Sequence, residues 1–309
     1  MNQSMDRLDW ISVEQALVVS DCEEFLTCAA AQGFKTQALM PLHVLPCRSL
    51  IFSFSREASK HTFAIAEAAP EKQSIFCPLH VFNASIEHAE YALELIMKSD
   101  FDAALCAQEV ILRRLNGCRE FLIEGGESRG NLQLRPEAAP FALLKEDLRN
   151  GYVHSIAEFF EVHYAHTKMD EPCPFHFSGE VVVSGILTVL RKPAFDPSGE
   201  MRQVLEELST LVATHKGTLK IEDNQIVSFL CNDLDHSDLL SQAAGKRGLV
   251  LSEFAIGVND TLEPGIDYRM NAQINEGVAG IHVAVGNGSS GFHIDFLSPR
   301  TRLTPMAQN

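Results

Sequence analysis

Six short segments in the second half of the chain limit its fold more than any other feature. EVVVSGILTVL, GTLKIED, QIVSFL, EFAIGV, GIHVAVGNG and FHIDFL are rich in β-branched or aromatic residues and are punctuated by glycine. Such segments read as strands of antiparallel sheets. Residues 217 to 228 read as a hairpin turning at Asp223-Asn224. Only Glu200 to Thr214 and Asp235 to Ala244 have helical character there.

The first half alternates helix and strand. Val13 to Val19 and Cys22 to Gln32 read as helices, the second closed by Gly33. Residues 49 to 54 and 74 to 81 read as strands, with Pro78 near the end of the latter. Helices are expected from Ser85 to Lys98 and from Phe101 to Leu115, strands at 119 to 123 and 132 to 134, and a helix at about His154 to His166. The Pro-rich, charged KMDEPCPF marks the expected boundary. The fold class is therefore an α/β N-terminal domain (residues 1–170) followed by a β-rich α+β domain (residues 171–309) carrying the site.

Composition removes several functions. The formal charge of −16 disfavours nucleic acid and anionic membranes as partners, since both need basic surface. No apolar run approaches the ~20 residues of a membrane span. The opening MNQSMDRLDW has neither a basic nor an apolar signal region, so a cytoplasmic protein is expected. The eight cysteines form no CxxC pair and read as reduced thiols.

The ionisable residues of the second half are placed where they are expensive. Glu180 opens the apolar strand of FSGEVVV, and Glu253 does so in LSEFAIGVN. Glu276, His282, His293 and Asp295 fall close together in the sequence. In HIDF, His293 and Asp295 are two apart on a strand and share a face. Burying such groups costs several kcal/mol each unless a partner compensates. Carboxylate plus imidazole is the ligand set of Zn²⁺, Mn²⁺ or Fe²⁺. IAEFFEVHYAH reads instead as a polar helix face around Glu158, Glu161, His163 and His166. GNGSSG and GGESRG lack the following helix of a phosphate loop and read as turns.

Residues 170 to 297 resemble the aminopeptidase T/aminopeptidase S family of metallo-aminopeptidases, which shares its fold with 2,5-dihydroxypyridine dioxygenase. FSGEVVVSG is similar to that family's PSGEVFTAP, LSEFAIGVND to its ELGIGTNP, INEGVAGIHVAVGNG to its DEKIGGTVHIALGNS, and FHIDF to its HWD. The resemblance implies an aminopeptidase T-like fold, a homodimer, and one or two divalent ions held by Glu180, Glu253, His282, His293 and Asp295, with Glu180 or Glu253 serving as general base. It also marks departures. Ser289 stands where the family has a tyrosine that stabilises the oxyanion, Ile294 where it has tryptophan, and the loop between His282 and His293 is shorter. The resemblance thus implies a metal-dependent enzyme acting on a peptide or a small peptide-like or aromatic substrate, but not an ordinary aminopeptidase. Two alternatives stand beside it. One is a non-haem Fe²⁺ dioxygenase using His293, Asp295 and one further ligand. The other is a peptide-binding or peptide-tailoring protein of a biosynthetic pathway.

Overall fold

The computed structural model describes residues 8–69 and 71–306. The first part of the chain runs β1 (Leu17–Ser20), α1 (Glu23–Ala31), β2 (Lys35–Ala38), β3 (Ser49–Phe52), α2 (Arg56–Glu67), β4 (Gln73–Cys77), α3 (Ile86–Lys98) and α4 (Phe101–Gly117). There follow β5 (Glu120–Gly125), β6 (Ser128–Leu134), β7 (Phe141–Ala142), β8 (Tyr152–Ser155), β9 (Glu161–Ala165), β10 (Phe175–Val183) and β11 (Gly185–Val189). The remainder is α5 (Glu200–His215), β12 (Gly217–Glu222), β13 (Gln225–Cys231), β14 (Leu234–Asp235), α6 (Ser237–Ala244), β15 (Leu251–Gly257), β16 (Gly280–Val285), β17 (His293–Pro299) and β18 (Arg302–Pro305). Among the described residues these form three sheets in a mixed α/β fold, and no helix is long and apolar enough to cross a membrane.

The first sheet is parallel, in the order β2-β1-β3-β4-β8. Its three inner strands, β1, β3 and β4, are buried on both faces, whereas the edge strand β2 is largely exposed. Val18, Leu50, Phe52 and Ile75 pack with residues of α1, α3 and α4, whereas Val19, Ile51 and Phe76 pack with residues of α2. Two covered faces explain why these strands are short, nearly continuous apolar runs without alternation. They also explain the correction at Val13 to Val19, where the structure has a turn followed by β1. Val18 and Val19 are fully buried beside β3, a placement that a seven-residue apolar run cannot distinguish from helix. Three helices have capped starts; those of α3 and α4 lie where helices are expected from the sequence, whereas α2 is not expected. Ser55 Oγ accepts from Ala58 N at 3.1 Å, Ser85 Oγ from His88 N at 3.3 Å, and Asp100 Oδ1 from Ala103 N at 2.9 Å.

The other two sheets are antiparallel, in the orders β14-β13-β12-β10-β6-β5-β18 and β11-β17-β16-β15-β9-β7. Each sends one face into a shared core. Phe177 of β10 meets Phe254 of β15 with ring centroids 5.7 Å apart, and Phe229 of β13 meets Phe296 of β17 at 5.4 Å. The hairpin turns where expected, with Asp223 and Asn224 at φ of 51° and 65°. The other face of the six-stranded sheet meets the parallel layer, where Leu187, Val189 and Leu297 pack with Phe82.

The sheets divide the chain differently from a cut at residue 170. β5, β6, β7 and β9 all precede that point, yet they pair within the two antiparallel sheets. KMDEPCPF is the link by which the chain leaves the six-stranded sheet at β9 for the seven-stranded sheet at β10. Residues 161–165, expected to be helical, form β9. The pairing of Val162 with Ile256 and of His163 with Ala255 places them inside the sheet, between β15 and β7, and overrides a run that also fits a helix.

Candidate metal centre

The six-stranded sheet sets out its ionisable residues in rows, because residues paired across antiparallel strands share a face. One row is Phe141, His163, Ala255, His282 and Leu297. The next is Ala165, Glu253, Ala284, Asp295 and Leu187. An alanine sits in the middle of each row, so larger side chains on either side can lean together above a shallow floor. Glu161 lies one step further along β9, opposite Gly257. A Cβ at Gly257 would come within 2.0 Å of Val278 O and 3.0 Å of Glu276 O. The missing side chain lets residues 273–278 lie against the sheet and brings Glu276 to the same face.

The polar ends converge. Glu161 Oε2 lies 3.4 Å from His282 Nε2, and Glu253 Oε1 lies 3.6 Å from the same nitrogen. Glu253 Oε2 is 3.7 Å from His293 Nε2, which is 3.1 Å from Asp295 Oδ1. On the outer side Glu161 Oε1 is 3.2 Å from His163 Nδ1. His293 Nδ1 lies 3.3 Å from the carbonyl of Gly286, which turns Nε2 toward the cluster.

These contacts leave buried atoms without hydrogen bonds. Glu161 Oε2, His163 Nδ1, His282 Nε2 and Asp295 Oδ2 have no hydrogen-bond partner. An unsatisfied buried polar atom costs ~1–3 kcal/mol, so a convergent set of them indicates a compensating group. The spacing fits that group being a cation. Ligands bound at ~2.0–2.2 Å around a tetrahedral ion stand ~3.3–3.6 Å apart, and the contacts of His282 with Glu161 and with Glu253 have that separation. Two overlapping trios, Glu253-His282-Asp295 and Glu161-His163-Glu253, each bring ligand atoms within 4.8 Å of one another.

The charge balance agrees. Burial works against protonation of His293, but the carboxylates of Asp295 and Glu253 prevail and lift it to about 9. Burial likewise opposes protonation of His163, and Glu161, Glu253 and Glu158 lift it to about 9. His282 is raised against its burial by Glu253, Glu161 and Asp295. Burial alone would raise Glu253; the neighbouring imidazoles of His282, His163 and His293 hold it below the ordinary carboxylate range. Glu276 goes the other way, held well above that range by burial and by repulsion from Asp295, Glu161 and Glu253. Protons on the imidazoles offset the carboxylates here, and a divalent cation can replace those protons.

The cluster forms the floor of a cavity of about 1040 Å³. Phe63, Phe76, Phe82, Phe141 and Val189 supply apolar wall, and Arg56, Lys60 and Arg191 add positive charge. The cavity opens beside the carboxyl ends of β4 and β8, marked by Pro78 and Ser155, as ligand crevices of open α/β sheets do. The loop after β16 closes one side, with Ser289 N and Ser290 N both donating to Asn287 Oδ1 at 2.9 Å.

Of the expected residues, Glu253, His282, His293 and Asp295 come together and Glu180 does not. Glu180 lies on β10 in the seven-stranded sheet, with its side chain 44% exposed and paired with Arg129 at 3.1 Å. Glu161 and His163 take part unexpectedly, and Glu276, grouped in sequence with His282, His293 and Asp295, joins them although it lies outside the expected ligand set. A signal for Glu161 was present. It lay in the Glu-x-His spacing of EVHYA, which reading that stretch as helix concealed. On a strand Glu161 and His163 share a face by the same period of two that relates His293 to Asp295.

A protein-family model described as crocagin biosynthetic protein CgnE/B matches residues 13–306. Among solved structures, wild-type AmpT from Thermus thermophilus is similar with a TM-score of 0.47 and 13% identity, over 96% of this chain and 93% of that one. The 2,5-dihydroxypyridine dioxygenase from Pseudomonas putida KT2440 is similar with a TM-score of 0.41 and 10% identity, over 91% and 85%. No curated protein matches the chain.

Proposed function

Since the chain belongs to the crocagin biosynthetic protein CgnE/B family, we propose that it serves a biosynthetic pathway by binding or tailoring a peptide in the cavity above a divalent metal. The cavity carries this reading. At about 1040 Å³ it stands at the upper end of the ~300–1,000 Å³ typical of ligand pockets, with room for several peptide residues. Its aromatic wall suits apolar side chains, and its polar groups converge at one end.

Glu161, Glu253, His282, His293 and Asp295 would hold the metal, in place of the set that included Glu180. When bound, such an ion supplies Lewis acidity and orients a carbonyl or similar oxygen. The protein's own groups act around it. Glu276 also lines the cavity, and burial and the neighbouring carboxylates favour its protonated form, which can donate a hydrogen bond to a ligand oxygen. Arg56, Lys60 and Arg191 draw anionic ligand groups to the cavity. Ser289 lines the cavity, but its hydroxyl is too short to replace the tyrosine of the related aminopeptidases as an oxyanion donor. Such a donor is worth ~10²–10³ in rate.

The test pairs binding with turnover. Metal-replete protein is titrated with linear peptides in a calorimeter, and leucine p-nitroanilide hydrolysis is followed separately. Micromolar peptide affinity with negligible hydrolysis is expected. Turnover near ~10 s⁻¹ would restore the aminopeptidase reading, and absence of peptide affinity up to millimolar concentration would remove the present one.

A further inference from the structure

We propose that His163 is itself a metal ligand, forming with Glu161 and Glu253 a cation pocket beside that of Glu253, His282 and Asp295. This rests on the metal reading above. His163 and Glu161 are two apart on β9 and project from one face, toward Glu253 on the neighbouring strand. The three offer ligand atoms within 4.8 Å of one another. Glu161 is only 5% exposed, yet its Oε2 has no hydrogen-bond partner. His163 Nδ1 is also buried and without a hydrogen bond, although it stands 3.2 Å from Glu161 Oε1. A simple histidine–glutamate pair would direct the imidazole N–H at the carboxylate. Here the two groups lie side by side and face a common space, as ligands of one ion do.

The imidazole is also held in place. Phe141 sits opposite His163 in the strand register and stacks on its ring, with centroids 5.2 Å apart and planes 24° from parallel. One imidazole with two carboxylates favours a transition ion such as Zn²⁺, Fe²⁺ or Co²⁺ over Mg²⁺ or Ca²⁺, which prefer oxygen. Glu253 then belongs to both pockets, and a shared carboxylate is suited to neighbouring ions ~3.5–4 Å apart.

Metal stoichiometry and a ligand-specific signal test this. Wild type and His163→Phe are saturated with Zn²⁺, dialysed and assayed for metal by mass spectrometry, then loaded with Co²⁺ for proton NMR. Wild type should retain about two ions per chain and His163→Phe about one, with one fewer hyperfine-shifted imidazole N–H resonance in the variant. If His163→Phe does not fold, Phe141→Ala leaves every ligand present but frees the imidazole, and affinity for the second ion should fall about tenfold. Equal stoichiometry and spectra in wild type and His163→Phe would overturn this proposal alone, as would wild type holding one ion or an unchanged second affinity in Phe141→Ala. Wild type retaining no ion would overturn the metal reading beneath it.

Discussion

At the scale of single residues, the cluster separates glutamates that look alike in sequence. Glu180 and Glu253 both stand in apolar β segments. Glu180 faces solvent beside Arg129, whereas Glu253 lies among three imidazoles. Asp295→Asn should therefore lower metal affinity by about 100-fold or more, given that losing even an outer partner of a ligand costs ~10–100-fold. Glu180→Gln should leave it unchanged, and competition with a chelating dye measures both. The HxD spacing made half of the cluster legible, because a period of two fixes a shared face without further information. Glu180 falls outside the cluster because burial depends on which sheet a strand joins, and a strand's own residues do not specify that. The parts of His163 and Glu276 escape the sequence for different reasons. One lay in a run that also fits a helix, and the other reaches the site only through the close approach at Gly257.

At the scale of elements, caps and turns read well from sequence, and short buried strands did not. The serine ahead of α3 and the Asp223-Asn224 turn are local chemistry, whereas β1 is a strand only because β3 lies beside it. α2, unanticipated, owes its start to Ser55. Ser55→Ala should cost about 1 kcal/mol, seen as a melting temperature lower by ~2–4 °C. α3 carries a pH dependence. His88 is buried, with Nδ1 2.7 Å from Ser85 Oγ, and burial lowers its pKa despite the opposing influence of Glu87. A base with a depressed folded pKa takes up its proton more readily when unfolded, so its share of stability is present above about pH 6.5 and is lost below it. His88→Asn should flatten that loss, and urea unfolding at pH 7.5 and pH 5.5 would show it. An equal pH effect in both proteins would discount His88.

At the scale of the whole molecule, the site lies between layers, with its floor on the six-stranded sheet and part of its wall from the parallel layer through α2 and the residues after β4. The edge at β14 bears on assembly. Leu230 and Leu234 are 48% and 60% exposed there, and an apolar edge of this kind invites pairing. A homodimer built through it is expected by light scattering, and Leu234→Lys should shift it toward the 34.1 kDa monomer. A wild-type mass near that of one chain at micromolar concentration would refute this. The order of the sheets has a temporal consequence during synthesis. β5, at residues 120–125, closes its outer side only with β18, at residues 302–305, and β9 acquires the rest of its ligand cluster only once residues 253–295 have been made. A nascent chain stalled near residue 250 would hold a formed parallel layer beside two open sheets and no complete binding centre. Capture of the proposed metal would then be among the last events of its biogenesis, and the unfinished edges are where a chaperone would have most to cover.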